Sequence, residues 1–144
     1  MATPIQVVMD CADPARLATF WAAALHYQVE DPPAGFATWP AFLQAQGMPP
    51  EQWNRASAVV DPAGRGPRLY FQRVPEPKIV KNRVHLDLNA SGPGGTPLEE
   101  RRRTITAEVA RLRDLGASTL RAVEEHGEYW VVMQDPEGNE FCVQ

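Results

Sequence analysis

A turn of the form Asp-Pro-x-Gly occurs twice in this chain, each time between two strand-like segments. The first copy is Asp61-Pro62-Ala63-Gly64 and the second is Asp135-Pro136-Glu137-Gly138. Proline presets its own φ angle and glycine readily adopts a positive φ, so each copy indicates a tight reversal of the chain. Because the turn recurs in the same setting in both halves, the sequence predicts two copies of one structural unit.

The first half begins with a predicted strand and an amphipathic helix. An apolar run at residues 5–10 is followed by Asp13-Pro14, a pair typical of a helix start, with aspartate as N-cap and proline at the first helical position. Apolar residues then recur at helical spacing on one face, namely Leu17, Phe20, Trp21, Ala24 and Leu25. This pattern predicts a helix that lies on a sheet.

The second half repeats this order. Residues 83–89 alternate as a strand does, which places Val84, Leu86 and Leu88 on one face. Thr96-Pro97-Leu98-Glu99 is typical of a capping box with proline at the first helical position. The helix that follows is predicted to end at Gly116.

The repeat predicts an α+β protein with two modules, each running strand, helix, strands. We place module one at residues 1–74, an extended linker at 75–82 and module two at 83–144. Module one also carries an insertion at 32–55 that is rich in proline, glycine and aromatic residues. We call this segment the aromatic insertion.

Composition and charge argue against several classes of function. The chain has 14 basic and 18 acidic residues and a formal net charge of −4 at pH 7, which offers no basic surface for nucleic acid. No apolar run approaches the ~20 residues of a membrane helix, and no signal peptide is recognisable. Cys11 and Cys142 are the only cysteines. We therefore expect reduced thiols in a cytoplasmic protein.

The order of these motifs resembles the vicinal-oxygen-chelate superfamily, and within it the glyoxalase-like domain proteins, over nearly the whole chain. The resemblance rests on Asp13-Pro14 with Phe20-Trp21, on the two Asp-Pro-x-Gly turns and on His85-Leu86-Asp87-Leu88. One departure is His26, where the family commonly has a glycine. The resemblance implies paired βαβββ modules whose mixed sheets curl into a cup, with the helices packed outside.

The resemblance also implies where a ligand binds. Metal-dependent members of the superfamily place ligands on the first and last strands of their modules, whereas bleomycin-binding members keep the cup without a metal. The corresponding residues here are Gln6 and Gln72 in module one, with Tyr70 as the alternative to Gln72, and His85 and Cys142 in module two. Strand alternation supports this set, because Gln6, His85 and Cys142 lie opposite to their apolar neighbours.

These positions are an unusual set of metal ligands. Hard divalent cations usually require a carboxylate, and Cys142 stands where the metal enzymes usually have glutamate. Asp87 and Glu140 share the strand face of His85 and Cys142 and offer carboxylates nearby. The candidate metal ligands are therefore His85, Gln6 and Glu140, and the expected cofactor is either none or a divalent metal ion.

Each candidate residue also has a structural interpretation, which the sequence leaves open. Hydrogen bonding or simple burial would account for the polar candidates, Gln6, Gln72, His85 and Cys142. The tryptophans are candidates for the wall of an apolar ligand site, or for ordinary packing, namely Trp39, Trp53 and Trp130.

Two functions remain in competition at this point. The first is a protein that binds a small organic ligand in the cup without the standard metal site. The second is a lyase, isomerase or dioxygenase that depends on a divalent metal. In either case the resemblance implies a homodimer.

Overall fold

The computed structural model describes residues 1–144, which form two compact units, Met1–Pro77 and Lys78–Gln144. The division falls within residues 75–82, the predicted linker, where the chain has neither helix nor strand. Each unit runs strand, helix and three strands in that order. The predicted α+β fold with two βαβββ modules is thereby confirmed.

Module one has a four-stranded mixed sheet in the order β1-β4-β3-β2, in which β1 is parallel to β4 and the other neighbours are antiparallel. The aromatic insertion contains two short helices between β2 and β3. The elements are β1 Val7–Cys11, α1 Pro14–Leu25, β2 Gln28–Val29, α2 Trp39–Ala45, a 3₁₀ helix Pro50–Arg55, β3 Ala56–Val60 and β4 Leu69–Arg73.

The core of module one lies between α1 and one face of the sheet. Leu17 and Trp21 on α1 are buried, as is Phe71 on β4, and the helix contacts both β3 and β4. Successive strand residues point to opposite faces, so Tyr70 and Gln72 lie on the face away from α1. On this second face Tyr70 is half-buried and Gln72 is exposed.

Module two repeats the plan with a sheet in the order β5-β8-β7-β6, in which β5 is parallel to β8. Helix α3 packs on β7, β6 and β8 through the buried Ile105 and Leu112. The elements are β5 Asp87–Leu88, α3 Leu98–Asp114, β6 Ser118–Glu125, β7 Glu128–Gln134 and β8 Glu140–Val143.

Two expectations for the start of module two are wrong. Thr96 does not cap α3, because its hydroxyl donates a hydrogen bond to the carbonyl of Pro93 at 2.9 Å, and the helix begins at Leu98. The first strand is shorter than 83–89, and Val84 is 79% exposed rather than on the apolar face. The side chain of Asn82 accepts a hydrogen bond from the backbone N–H of Glu140 at 2.9 Å. If β5 were longer, this N–H would bond to the β5 backbone instead.

The two Asp-Pro-x-Gly turns have the same geometry, as predicted. Gly64 N donates to Asp61 O at 2.9 Å, and Gly138 N donates to Asp135 O at 3.0 Å. Both glycines have positive φ, 67° and 85°. In each turn the aspartate side chain also accepts the backbone N–H two residues ahead, at 2.8 Å and 2.9 Å.

The two ends of α1 are fixed by local interactions. Asp13 is the N-cap, and its carboxylate accepts a hydrogen bond from Arg16 N at 3.2 Å. The same carboxylate accepts a second one from the Asn54 side-chain amide at 2.8 Å, while Asn54 Oδ1 accepts from Ala15 N at 2.9 Å. The 3₁₀ helix is therefore bound to the first turn of α1. At the other end His26 adopts the left-handed conformation, φ 56°, that glycine favours.

Replacing Gly66 is expected to destabilise module one, because a Cβ there would lie 1.8 Å from the hydroxyl oxygen of Tyr27. Gly66→Ala should lower the free energy of unfolding by about 1–3 kcal/mol, as overpacking does. Adding Tyr27→Phe should recover part of this loss. Gly94→Ala is the matched control, since a Cβ there meets nothing within 4 Å. Equal denaturation midpoints for the two single variants would contradict the prediction.

The hydrogen bond from Asn54 is the main reason that the pKa of Asp13 lies below its ordinary value of 3.8. A lowered pKa means that Asp13 contributes stability that is fully present above pH 3.8 and lost as the pH falls through the lower folded-state value. In Asn54→Ala the pKa of Asp13, measured by NMR, should rise and the acid-side loss of stability should shrink. Gln52→Ala, an exposed neighbour, should leave that pKa unchanged.

Candidate functional site

A pocket of about 600 Å³ in module one lies between the aromatic insertion and the sheet. Its lining comes from α1, β2, α2, the 3₁₀ helix, β3 and β4. The lining includes five large side chains with apolar surface, namely Trp39, Leu43, Met48, Trp53 and Tyr70. All five are half-buried, so part of each remains accessible within the pocket.

Local contacts hold the two tryptophans in place. The indole N–H of Trp39 donates to the carbonyl of Glu30 at 2.7 Å, and that of Trp53 donates to the carbonyl of Met48 at 2.9 Å. Phe42 packs edge-to-face against Trp39 with the ring centroids 5.8 Å apart. The insertion thus presents the tryptophan rings, and not their N–H donors, to the pocket.

One of the two guanidinium groups that line the pocket, that of Arg68, is held from two sides. Arg68 donates two hydrogen bonds to the carboxylate of Glu30, at 3.0 Å and 2.6 Å, and one to the side-chain carbonyl of Gln6 at 2.7 Å. Its carbon Cζ lies 5.2 Å from the ring centroid of Tyr70. The hydrogen bonds from Arg68 to Glu30 raise the pKa of Arg68, so this guanidinium stays charged at neutral pH.

Module two has a second, smaller depression of about 400 Å³, which contains a cluster of possible metal ligands. His85 Nε2 lies 3.4 Å from Asp87 Oδ1, and the ligand atoms of His85, Asp87 and Cys142 all lie within 4.8 Å of one another. We call these three residues the His85 cluster. Trp130 lines the same depression.

Strand pairing explains why the His85 cluster forms. Cys142 is the β8 partner of Asp87 on β5, and His85 is two residues before Asp87, so all three side chains lie on the face away from α3. Burial, followed by the negative charge of Asp87, raises the pKa of the Cys142 thiol, which is therefore protonated at neutral pH. Binding of a metal through sulfur would have to release this proton.

Glu140 does not join the cluster. Its carboxylate forms an ion pair with Lys81, whose hydrogen bond lowers the pKa of Glu140. Asp87, which the sequence offered as the other nearby carboxylate, takes the place beside His85 instead.

The strand register relates the candidate positions of the two modules. Ala58 and Val132 each precede their Asp-Pro-x-Gly turn by the same interval, and their partners on the last strand are Tyr70 and Cys142. Tyr70 in turn pairs with Val8 on β1, as Cys142 pairs with Asp87 on β5. Counted this way, Tyr70 is the counterpart of Cys142, and Gln6 is the counterpart of His85.

The predicted site residues therefore fall into separate groups. Trp39 and Trp53 line the module-one pocket, and Gln6 reaches it through Arg68. Gln72 lies outside that lining and donates a hydrogen bond to Asp10 at 2.7 Å, while His85, Cys142 and Trp130 share the depression of module two. Sequence reasoning missed Glu30 and Arg68. No sequence motif indicates this ion pair, because the two residues are 38 positions apart and come together only in the folded chain.

None of the helices combines the length and apolar character that are needed to cross a membrane. No functionally curated protein matches the chain. A family model described as a glyoxalase-like domain matches residues 6–144.

Several solved structures share the fold at low sequence identity. A glyoxalase/bleomycin resistance protein/dioxygenase family enzyme from Burkholderia phytofirmans PsJN is 14% identical, with a TM-score of 0.60 and 96% of this chain and 94% of that chain covered. A possible glyoxalase from Bacillus cereus is 13% identical, with a TM-score of 0.58 and 100% and 99% covered.

A third similar structure is a variant of the fosfomycin resistance protein FosX from Listeria monocytogenes, complexed with Mn(II) and 1S,2S-dihydroxypropylphosphonic acid. It is 8% identical, with a TM-score of 0.62 and 100% of this chain and 90% of that chain covered. Identities this low show a shared fold only. The ligands of those proteins are not thereby ligands of this chain. Because the family model spans residues 6–144, the chain belongs to the glyoxalase-like domain family.

Proposed function

We propose that this protein binds a small organic molecule in the module-one pocket, and that no metal takes part there. The observation that carries the proposal is the pocket of about 600 Å³, lined by two tryptophans, a tyrosine and aliphatic side chains. Ligand sites typically measure roughly 300–1,000 Å³ and are mostly apolar, with a few placed polar groups. The counterpart positions of the His85 cluster in module one hold Gln6, Val8 and Tyr70, none of which is a strong metal ligand.

The half-buried rings supply the binding energy in this proposal. Each Å² of apolar surface that a ligand covers stabilises the complex by about 25 cal/mol before the entropy of association is subtracted. Trp39 and Trp53 each offer a large flat surface at low cost in side-chain entropy. Tryptophan is also the residue type that most often dominates binding when it lies in a well-packed site.

The pocket wall is held in place before a ligand arrives. The indole hydrogen bonds fix Trp39 and Trp53, and the two hydrogen bonds of Asn54 attach the 3₁₀ helix to α1. A wall that is already ordered loses little conformational freedom on binding, which favours affinity.

A panel of neutral, anionic and cationic aromatic fragments tests this proposal by ¹H–¹⁵N NMR of the four tryptophan indole groups. We expect at least one fragment to shift the Trp39 and Trp53 signals and to leave Trp21 and Trp130 unmoved. Trp53→Ala should weaken that binding about tenfold or more. Trp130→Phe is the control and should leave the dissociation constant unchanged. A panel that yields no binder, or only binders that shift Trp130 alone, would refute the proposal.

A second candidate function is favoured by the His85 cluster, which brings one nitrogen, one oxygen and one sulfur ligand within 4.8 Å of one another. This mixed set suits Zn²⁺ better than Mg²⁺ or Ca²⁺, which bind through oxygen atoms. Three protein ligands leave one position for a substrate, and zinc in such a site supplies a Lewis acid for lyase or isomerase chemistry. His85, Asp87 and Cys142 would hold the ion.

Metal binding at the His85 cluster is tested by titration with Co²⁺, whose bond to a thiolate produces a charge-transfer absorption band. Cys142→Ser should remove the band and weaken Zn²⁺ binding, measured by calorimetry, by about tenfold or more. Cys11→Ser is the matched control, because Cys11 is also buried but lies in module one. Loss of the band in both variants, or its absence from the native protein, argues against this second function.

A further inference from the structure

The polar atoms that line the module-one pocket are mostly occupied by the protein itself. Both indole N–H groups donate to backbone carbonyls. The side-chain amide of Asn54 donates a hydrogen bond to Asp13 and accepts one from Ala15 N. The hydroxyl of Thr19 donates to the carbonyl of Ala15 at 2.9 Å. A ligand therefore meets aromatic rings, a thioether and aliphatic groups, and the side chains that keep donors for it are Gln52, Arg55, Ser57 and Tyr70.

The charges in the pocket lining also balance locally. Arg68 and Glu30 form a two-pronged ion pair, and a third N–H of Arg68 is held by Gln6. Arg55 is the other cation of the lining, and it is exposed, so water screens its charge. An anion placed next to Arg68 would have to displace Glu30 and would meet its negative charge.

On the basis of the proposed function, we propose further that the pocket selects uncharged, planar aromatic molecules and rejects small anions. The ligand lies against the rings of Trp39, Trp53 and Tyr70. A single polar substituent is matched by the hydroxyl of Tyr70, the lining group on β4 whose oxygen the protein does not use. Moving a carboxylate or phosphonate against Arg68 removes it from water beside a cation that is already paired, and the remaining cation of the lining, Arg55, is exposed and screened by water.

The test compares two probes of nearly the same shape, 1-naphthol, which is uncharged at neutral pH, and 1-naphthoate, which is an anion. Calorimetry should give a dissociation constant for 1-naphthol at least about tenfold lower than for 1-naphthoate. The indole signals of Trp39 and Trp53 should move with 1-naphthol. Inorganic phosphate, the third probe, should leave both signals in place.

Glu30→Gln supplies the decisive variant, because it removes the carboxylate that neutralises Arg68 and keeps the backbone carbonyl that holds Trp39. Its ratio of 1-naphthoate to 1-naphthol affinity should rise about tenfold. Arg65→Gln, which changes an exposed cation of module one outside the pocket lining, is the control and should change the ratio less than threefold.

The outcomes separate this inference from the proposed function. If 1-naphthoate binds native protein as tightly as 1-naphthol and moves the Trp39 and Trp53 signals, the pocket is a ligand site but the selectivity proposed here is wrong. If neither probe moves those signals, the selectivity for aromatic molecules is overturned. The proposed function then depends on the wider fragment panel.

Discussion

The packing of one amphipathic helix against one face of a four-stranded sheet is the constraint on which each module depends. Strand side chains alternate between the two faces of the sheet. The residues that face the helix must therefore be apolar, whereas the residues between them can be polar. In module one the helix covers Phe71 and leaves Tyr70 on the opposite face; in module two it covers Phe141 and leaves Cys142 there. Residues on the face away from the helix can therefore be polar without cost to the core.

The two modules use the same strand positions for different chemistry. The positions that bring His85, Asp87 and Cys142 together in module two hold Gln6, Val8 and Tyr70 in module one. The first set offers nitrogen, oxygen and sulfur ligands, whereas the second offers an amide, a methyl surface and a phenol ring. The aromatic insertion then builds an apolar wall in module one only. The same strand positions of one repeated fold therefore carry different sets of side chains in the two modules.

Much of the fold follows from local signals in the sequence. These signals depend only on residues close together in sequence, and each gave the predicted structure. They are the helix start at Asp13-Pro14, the apolar stripe with Leu17 and Trp21, and the two Asp-Pro-x-Gly turns. The errors lie where a distant group competes, as when the side chain of Asn82 takes the N–H of Glu140 and shortens β5. The sites were harder to predict for the same reason. Strand alternation predicted that His85 and Cys142 share one face. Which carboxylate joins them, Asp87 or Glu140, depends on the ion pair of Glu140 with Lys81. The Arg68–Glu30 pair forms only in the folded chain, because the two residues are far apart in sequence. The homodimer stays a prediction.

The aromatic insertion forms a pocket wall without adding to the core. Neither α2 nor the 3₁₀ helix contains a fully buried residue, and the insertion meets the rest of module one through a few hydrogen bonds such as those of Asn54. Substitutions of its exposed residues cost little free energy of unfolding, because those side chains lie outside the core. The exposed positions of this segment can therefore accept substitutions that the helix-facing strand residues cannot. Within a lineage of such proteins, new ligand preferences would arise first between residues 32 and 55, and the helix-facing strand residues would change last.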